Sequence, residues 1–276
     1  MSNLGQRIIT AMIGAAVVIS AILYNEITAV LLLTLISLLG VREFYHLLRQ
    51  EGVEPQLLPG LLIAATPFIT LLLSNTTSTA INPIPILIVL VFTVFMRELF
   101  RKKEKPFNNI ALTLMGPVYL SLPVFLFFRS AFRTTAGIET YHPYILLGYL
   151  FILWSSDTGA YFAGRFLGRH KLFERISPKK TWEGFFGGMA LALTVAYIIS
   201  LFYTEFDLTT WLTIALIIHV TGVLGDLVES MFKRSIAIKD SGQLLPGHGG
   251  VLDRIDSLVA GVPIFVLGLM RAGLIL

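Results

Sequence analysis

The sequence predicts an all-α, polytopic integral membrane protein of about nine transmembrane helices, and three observations carry that prediction. The chain of 276 residues is 55% hydrophobic and only 14% charged. Its apolar residues come in blocks of membrane length, and its charges gather in the short connectors between them. A bilayer core of about 30 Å takes roughly 20 mostly apolar residues per helix. By that measure the spans fall near residues 8–24, 27–48, 57–73, 84–100, 110–128, 143–164, 184–203, 209–229 and 251–271.

The first span has a weak charged region (Asn3, Arg7) and no A-x-A cleavage site, so it reads as a retained helix and not as a signal peptide. The second and fourth continue as amphipathic ends beyond the bilayer. Spans two to five contain small residues and the prolines Pro83, Pro85, Pro117 and Pro123, with nothing that looks reactive. Residues 1–135 therefore read as a scaffold of about five helices. The run RELFRKKEK at 97–105 is the densest charge cluster and reads as a face for anionic headgroups. Residues 136–276 differ, because polar side chains now enter the spans: Ser155, Ser156, Asp157 and Thr158, then Asp226 and Glu229. This half reads as the catalytic region, about four helices with two active-site connectors.

Charge placement predicts orientation. All but Arg129, Arg133 and Arg271 of the 21 Lys and Arg residues fall at the N-terminus or in the connectors after spans two, four, six and eight. The positive-inside rule puts that side in the cytoplasm and the C-terminus outside. The pI near 9.3 needs no nucleic acid partner, since basic cytoplasmic loops face anionic lipid. The absence of Cys excludes disulfides, thiolate nucleophiles, iron–sulfur clusters and cysteine zinc sites. The five His show no metal-ligand spacing, and no internal repeat supports an inverted-repeat transporter.

The chemistry concentrates in the connector SMFKRSIAIKDSGQLLPGHGGVLDRID, residues 230–256. Asp226, Glu229, Asp253 and Asp256 bracket it, Lys233, Arg234 and Lys239 lie within it, and Pro246, Gly247, Gly249 and Gly250 shape its turn. That mixture suits a divalent metal holding a polyphosphate. Each acid pair is spaced i, i+3, on one helix face. Spans six and eight end on the side where span nine begins, and Asp157 lies roughly 10 Å before the end of span six. Five carboxylates at similar depth repel one another, so a hard cation such as Mg²⁺ is expected among them. The bland alternative pairs Asp226 and Asp253 with Lys233 and Arg254, with Asp253 and Asp256 favouring a helix N-terminus. It accounts for single acids and poorly for the cluster, because ionisable residues inside spans default to function.

A second constellation, GRFLGRHKLFERISPKKTWEG at 164–184, is basic and leads into a helix. Ser177 before Pro178 predicts an N-cap with Pro at the first helical position. Lys179, Lys180 and the backbone N–H groups after them would then face an anion, while Arg165, Arg169, Lys171 and Arg175 read as a solvated basic face. In PGHGG, Gly249 and Gly250 allow close approach of the backbone to a ligand. His248 is either a phosphate contact or a structural loop residue. His219, inside span eight, reads as a packing or interhelical hydrogen-bonding residue.

With those residues set out, the connector resembles the signature of the phosphatidate cytidylyltransferases, or CDP-diacylglycerol synthases: S-x-x-K-R-x4-K-D-x-G-x2-L-P-x-H-G-G-x-x-D-R-x-D. Ser230, Lys233, Arg234, Lys239, Asp240, Gly242, Leu245, Pro246, His248, Gly249, Gly250, Asp253, Arg254 and Asp256 fill it without a gap. SDTGAYFAGR and SPKKTWEG are also similar to family segments, and the resemblance covers about residues 154–256.

It implies cytidylyl transfer from CTP to phosphatidic acid with Mg²⁺, giving CDP-diacylglycerol and pyrophosphate, in a homodimer of the cell inner membrane whose active site faces the cytoplasm. On this reading Asp226, Glu229, Asp253 and Asp256, with Asp157 as a further ligand or orienting partner, hold one or two cations. Lys233 and Arg234 join the catalytic set, and Ser177, Lys179, Lys180, Lys239, His248, Gly249, Gly250 and Arg254 bind substrate. The rivals are a CTP-dependent lipid kinase and, from another class, a cation-coupled transporter using Asp157, Asp226 and Glu229 as a relay.

Overall fold

The structure, a computed structural model, describes all residues except 1–2, 78–80, 136–137, 239–240, 243–248, 272 and 274–276. In chain order the elements are α1 (Asn3–Tyr24), α2 (Glu26–Gln50), α3 (Leu57–Thr77), α4 (Pro83–Arg101), α5 (Pro106–Gly116), a π-turn (Pro117–Ser121) and α6 (Leu122–Arg129). They continue as β1 (Phe132–Thr135), β2 (Ile138–Tyr141), α7 (Pro143–Phe166), β3 (Lys171–Phe173), β4 (Ser177–Thr181), α8 (Trp182–Phe202), α9 (Leu208–Ser235) and α10 (Leu252–Arg271). The helical class predicted from sequence holds, with two small antiparallel hairpins, β1–β2 and β3–β4, added in connectors.

Among the described residues six stretches are long and apolar enough to cross a membrane: α2, α3 as far as Ser74, α4, Pro106–Arg129, α8 and α9. The other three expected spans correspond to α1, whose described apolar stretch is the shorter Ile9–Tyr24, and to α7 and α10. Polar residues dilute the last two, Ser155 to Thr158 in α7 and Asp253, Arg254 and Asp256 in α10. The fourth of the six runs α5, π-turn, α6 without a break. Pro117 has no N–H to donate and its ring crowds the preceding turn, and the widened turn accommodates both. Side-chain caps fix several starts: Asn25 accepts from Thr28 N–H at 2.8 Å, Asn82 from Ile84 N–H at 3.0 Å and Asp207 from Thr210 N–H at 2.9 Å.

The chain divides into two compact units, Met1–Phe125 with Asp240–Arg254, and Leu126–Lys239 with Ile255–Leu276. In the first, the buried Tyr45 ring lies against Gly116, where a Cβ would come within 2.6 Å of it, and its hydroxyl donates to the Thr113 carbonyl. Glu98 is buried in α4 and fully engaged: Gln56 Nε2, Asn109 Nδ2 and Arg101 Nη1 each donate to it at 2.7 Å. Arg101 and Lys103 also pair with Glu54, at 3.6 and 2.9 Å. The basic run at 97–105, read from sequence as a headgroup face, thus spends two of its cations on carboxylates of the protein.

In the second unit α7 and α8 meet backbone to backbone. A Cβ at Gly159 would sit 2.7 Å from the Gly187 carbonyl, one at Gly184 would sit 2.9 Å from the Ala160 carbonyl, and one at Gly188 would sit 2.7 Å from the Ser156 carbonyl. Small residues four apart make such an approach the natural packing for apolar helices. The buried His219 ring joins α9 to α7 through Ser156 Oγ at 2.8 Å and lies against Phe185 at 4.5 Å, the packing and hydrogen-bonding part that its position suggests.

Candidate active site

The acids of α9 and α10 converge because a glycine precedes the first of them. A Cβ at Gly225 would meet both the Asp256 carbonyl oxygen and Ala260 Cβ at 2.7 Å, so the two helices touch at the level of the acids. Asp226 and Glu229 then share one face of α9. One carboxylate oxygen from each of Asp226, Glu229 and Asp256 lies within 4.8 Å of the others.

Two lysines meet this cluster. Lys233 Nζ pairs with Glu229 Oε2 at 2.5 Å, and the two side chains are 12% and 1% exposed. Lys180 Nζ pairs with Asp226 Oδ2 at 2.8 Å and donates to the Val223 carbonyl at 3.2 Å. The pairing of Asp226 with Lys233 weighed from sequence is not the one formed. Seven residues separate those two along the helix, whereas Glu229 and Lys233 stand one turn apart. Asp226 Oδ1 also accepts from Ser230 Oγ at 3.2 Å, and Asp256 Oδ1 accepts from Ser257 N–H at 2.7 Å.

Three carboxylates against two ammonium groups leave an excess of negative charge, with the Glu229 and Lys233 side chains nearly buried and Asp226 partly open to solvent. At about 4 Å and an effective dielectric of about 20, two like charges repel by roughly 4 kcal/mol. A divalent ion relieves that repulsion, and an all-oxygen carboxylate donor set suits a hard one such as Mg²⁺.

Lys180 arrives on a strand. The sequence predicted an N-cap at Ser177 with the helix opening at Pro178, but Ser177–Thr181 is β4, paired with β3 through Lys171↔Thr181 and Phe173↔Ser177. The residue before a proline is steered away from helical angles, which keeps Ser177 extended. Helix α8 opens at Trp182, capped by Thr181, whose Oγ1 accepts from Gly184 N–H at 3.1 Å. Glu183 locks the hairpin to the helix by accepting from His170 N–H at 3.2 Å and pairing with His170 Nδ1 at 2.6 Å. Because side chains alternate along a strand, Lys180 turns toward α9 while Lys179 is exposed.

The remaining candidates are placed as follows. Asp157 is exposed on α7, and its charge bears on Asp256 together with that of Asp226. Arg234 is exposed and donates to the Ile238 carbonyl at 2.8 Å. In the first unit, Asp253 Oδ2 accepts from Ser241 N–H at 3.1 Å and Gly250 N–H at 3.0 Å, beside Gly249 at φ +81°. Arg254 is exposed on the first turn of α10. Lys239 and His248 lie outside the described residues. Sequence reasoning missed Gly225, although a glycine directly before an acid of the motif was a readable signal. It also missed Glu43 of α2, which accepts from Ser241 Oγ and from Val251 N–H at 2.8 Å and for which no local signal exists.

The chain matches the cytidylyltransferase family over residues 5–270. It is 35% identical over 269 residues to a phosphatidate cytidylyltransferase of Staphylococcus haemolyticus (strain JCSC1435), covering 96% of this chain and 98% of that one. A protein of the same name from Staphylococcus aureus (strain COL) is 36% identical over 270 residues, covering 96% and 99%. Its counterpart from Staphylococcus epidermidis (strain ATCC 12228 / FDA PCI 1200) is 34% identical over 269 residues, covering 96% and 98%. A motif-bearing chain that matches from end to end, on helices of membrane length, is a nucleotidyltransferase and belongs to the cytidylyltransferase family.

Proposed function

We propose that this protein transfers the cytidylyl group of CTP to phosphatidic acid, giving CDP-diacylglycerol and pyrophosphate at the cytoplasmic boundary of the cell membrane. The observation that carries this reading is the convergence of Asp226, Glu229 and Asp256 with Lys180 and Lys233, in a chain whose relatives bear the name phosphatidate cytidylyltransferase. A phosphate oxygen of phosphatidate attacks the α-phosphorus of CTP, the α–β bridging bond breaks, and pyrophosphate leaves. No activated Ser, Cys or His is needed, because a phosphate monoester with a second pKa near 6 is largely ionised at neutral pH. The protein's work is to bring two polyanions into line and offset their repulsion.

Asp226, Glu229 and Asp256, with Asp253 and Asp157 as further acids, would hold Mg²⁺ and any second cation, which when bound neutralises the phosphates. Lys180 and Lys233, held by carboxylates, would offer their charge to a triphosphate, and on the resemblance Lys179, Arg234, Lys239 and Arg254 would contribute further positive charge to substrate binding. On the resemblance, Ser177, His248, Gly249 and Gly250 would be further nucleotide contacts. The basic connectors support a nine-span arrangement with this site inside, and Arg129, one exception on the far side, is neutralised by Glu139 at 2.7 Å. The active unit is a homodimer on this reading.

The test uses purified protein in lipid with phosphatidate, Mg²⁺ and CTP labelled at the α- or the γ-phosphate. Label enters lipid only from the α-position and only without chelator. Label from the γ-position would make the protein a lipid kinase, and product formed in excess chelator would remove the metal from the reading.

A further inference from the structure

We propose that Glu43 is a positioning residue for the connector that carries the family signature, clamping its neck through both carboxylate oxygens. The inference rests on the functional reading above, which makes Gly249, Gly250 and Arg254 nucleotide contacts. Glu43 lies on α2, about 200 residues from its partners in sequence, yet its Oε1 accepts from the hydroxyl of Ser241 and its Oε2 from the N–H of Val251 at 2.8 Å. Those partners are 2% and 6% exposed, so neither bond is readily replaced by water.

Two glycines make room for the same carboxylate. A Cβ at Gly242 would stand 3.1 Å from Glu43 Cδ, and one at Gly250 would overlap Glu43 Oε1 and Ser241 Oγ. Asp253 closes the neck from the other side with the two bonds already described, to Ser241 N–H and Gly250 N–H. The entering backbone at Ser241 and the leaving backbone at Gly250 and Val251 are thereby tied by two carboxylates that use four donors. Val251 is the residue before α10, so the clamp also fixes where that helix begins. Both oxygens of Glu43 are committed to protein donors, and it therefore acts through the loop and not on the reacting atoms. A site is only as well ordered as the groups behind it, and here a residue of the apparently quiet half supplies that support.

The experiment compares wild type, Glu43→Gln, Glu43→Ala, Ser241→Ala and the Glu43→Ala/Ser241→Ala pair as full-length protein in lipid. It reads amide hydrogen exchange at Ser241, Gly250 and Val251, thermal unfolding, and steady-state kinetics against CTP. Glu43→Ala should raise exchange at those amides and raise KM for CTP at least tenfold, with exchange in α3 to α5 unchanged. Glu43→Gln, which keeps one acceptor oxygen and the shape, should fall between, and the double variant should resemble Glu43→Ala alone. If Glu43→Ala unfolds the protein, Glu43→Gln decides by the same readouts. Exchange at the three amides equal to wild type, or an unchanged KM, overturns the clamp. Wild-type protein that makes no CDP-diacylglycerol sinks the functional reading, while the exchange data still decide the clamp.

Discussion

Lys180 Nζ stands 2.8 Å from Asp226 Oδ2, and the bond joins the open, α8-side end of a two-stranded hairpin to the C-terminal half of a membrane-length helix. The hairpin is short, so its position depends on the Thr181 cap and on the Glu183 contacts to His170. The lysine offsets one of three crowded carboxylates, and on the proposed function it would also face an incoming phosphate.

Lys180→Met should therefore lower kcat/KM for CTP by about 100-fold, the scale for removing one electrostatic contact in a phosphoryl-transfer site. Thermal stability should change little, by about 1 kcal/mol or less, because the paired side chains are 22% and 39% exposed and solvent screens them. A large loss of stability with unimpaired turnover would make the lysine purely structural.

Glu229 and Lys233 form the more deeply buried pair. Glu229→Gln should destabilise the protein by about 3 kcal/mol by leaving a buried ammonium without its counter-charge. It should also weaken Mn²⁺ binding, measured by titration calorimetry or electron paramagnetic resonance. Adding Lys233→Met should restore much of the stability and none of the metal affinity, which separates the two roles.

Gly225→Val tests how the acids are gathered. Side-chain bulk at a point 2.7 Å from both the Asp256 carbonyl and Ala260 must part α9 from α10. Overpacking of this kind costs about 1–3 kcal/mol. Metal affinity and product formation should both fall, although no titratable group has changed.

Outside the spans, the Arg129 guanidinium donates to Glu139 at 2.7 Å and holds that carboxyl below the usual range, against a smaller opposing effect of burial. A lowered folded-state pKa means the contribution to stability is present above the unfolded value, near 4.3, and is lost as pH falls through the folded value. Glu139→Gln should lower the neutral melting temperature slightly, leave the value well below the folded pKa almost unchanged, and so flatten the decline below about pH 5.

Much of the site was legible because helical periodicity is a local rule: the spacing of Asp226 and Glu229 placed both on one face before any coordinates. The hairpin was not legible, since three- and five-residue strands rich in charge leave no periodic trace and the Ser177–Pro178 pair imitates a helix start. Lys180 was singled out as an anion contact at a helix start, whereas it stands on a strand and pairs with Asp226. Glu43 could not be found at all, because its meaning lies in a loop far along the chain. Asp253 was read as one more acid of the cluster, and what its position adds is a pair of bonds to the backbone of its own loop.

The i, i+4 arrangement of Glu229 and Lys233 also bears on how the protein is made. As α9 leaves the ribosome and partitions into lipid, its acid and base are already one turn apart and able to neutralise each other before α10 has been made. The segment can enter the bilayer as a nearly uncharged unit, and its buried carboxylate travels with its own counter-charge.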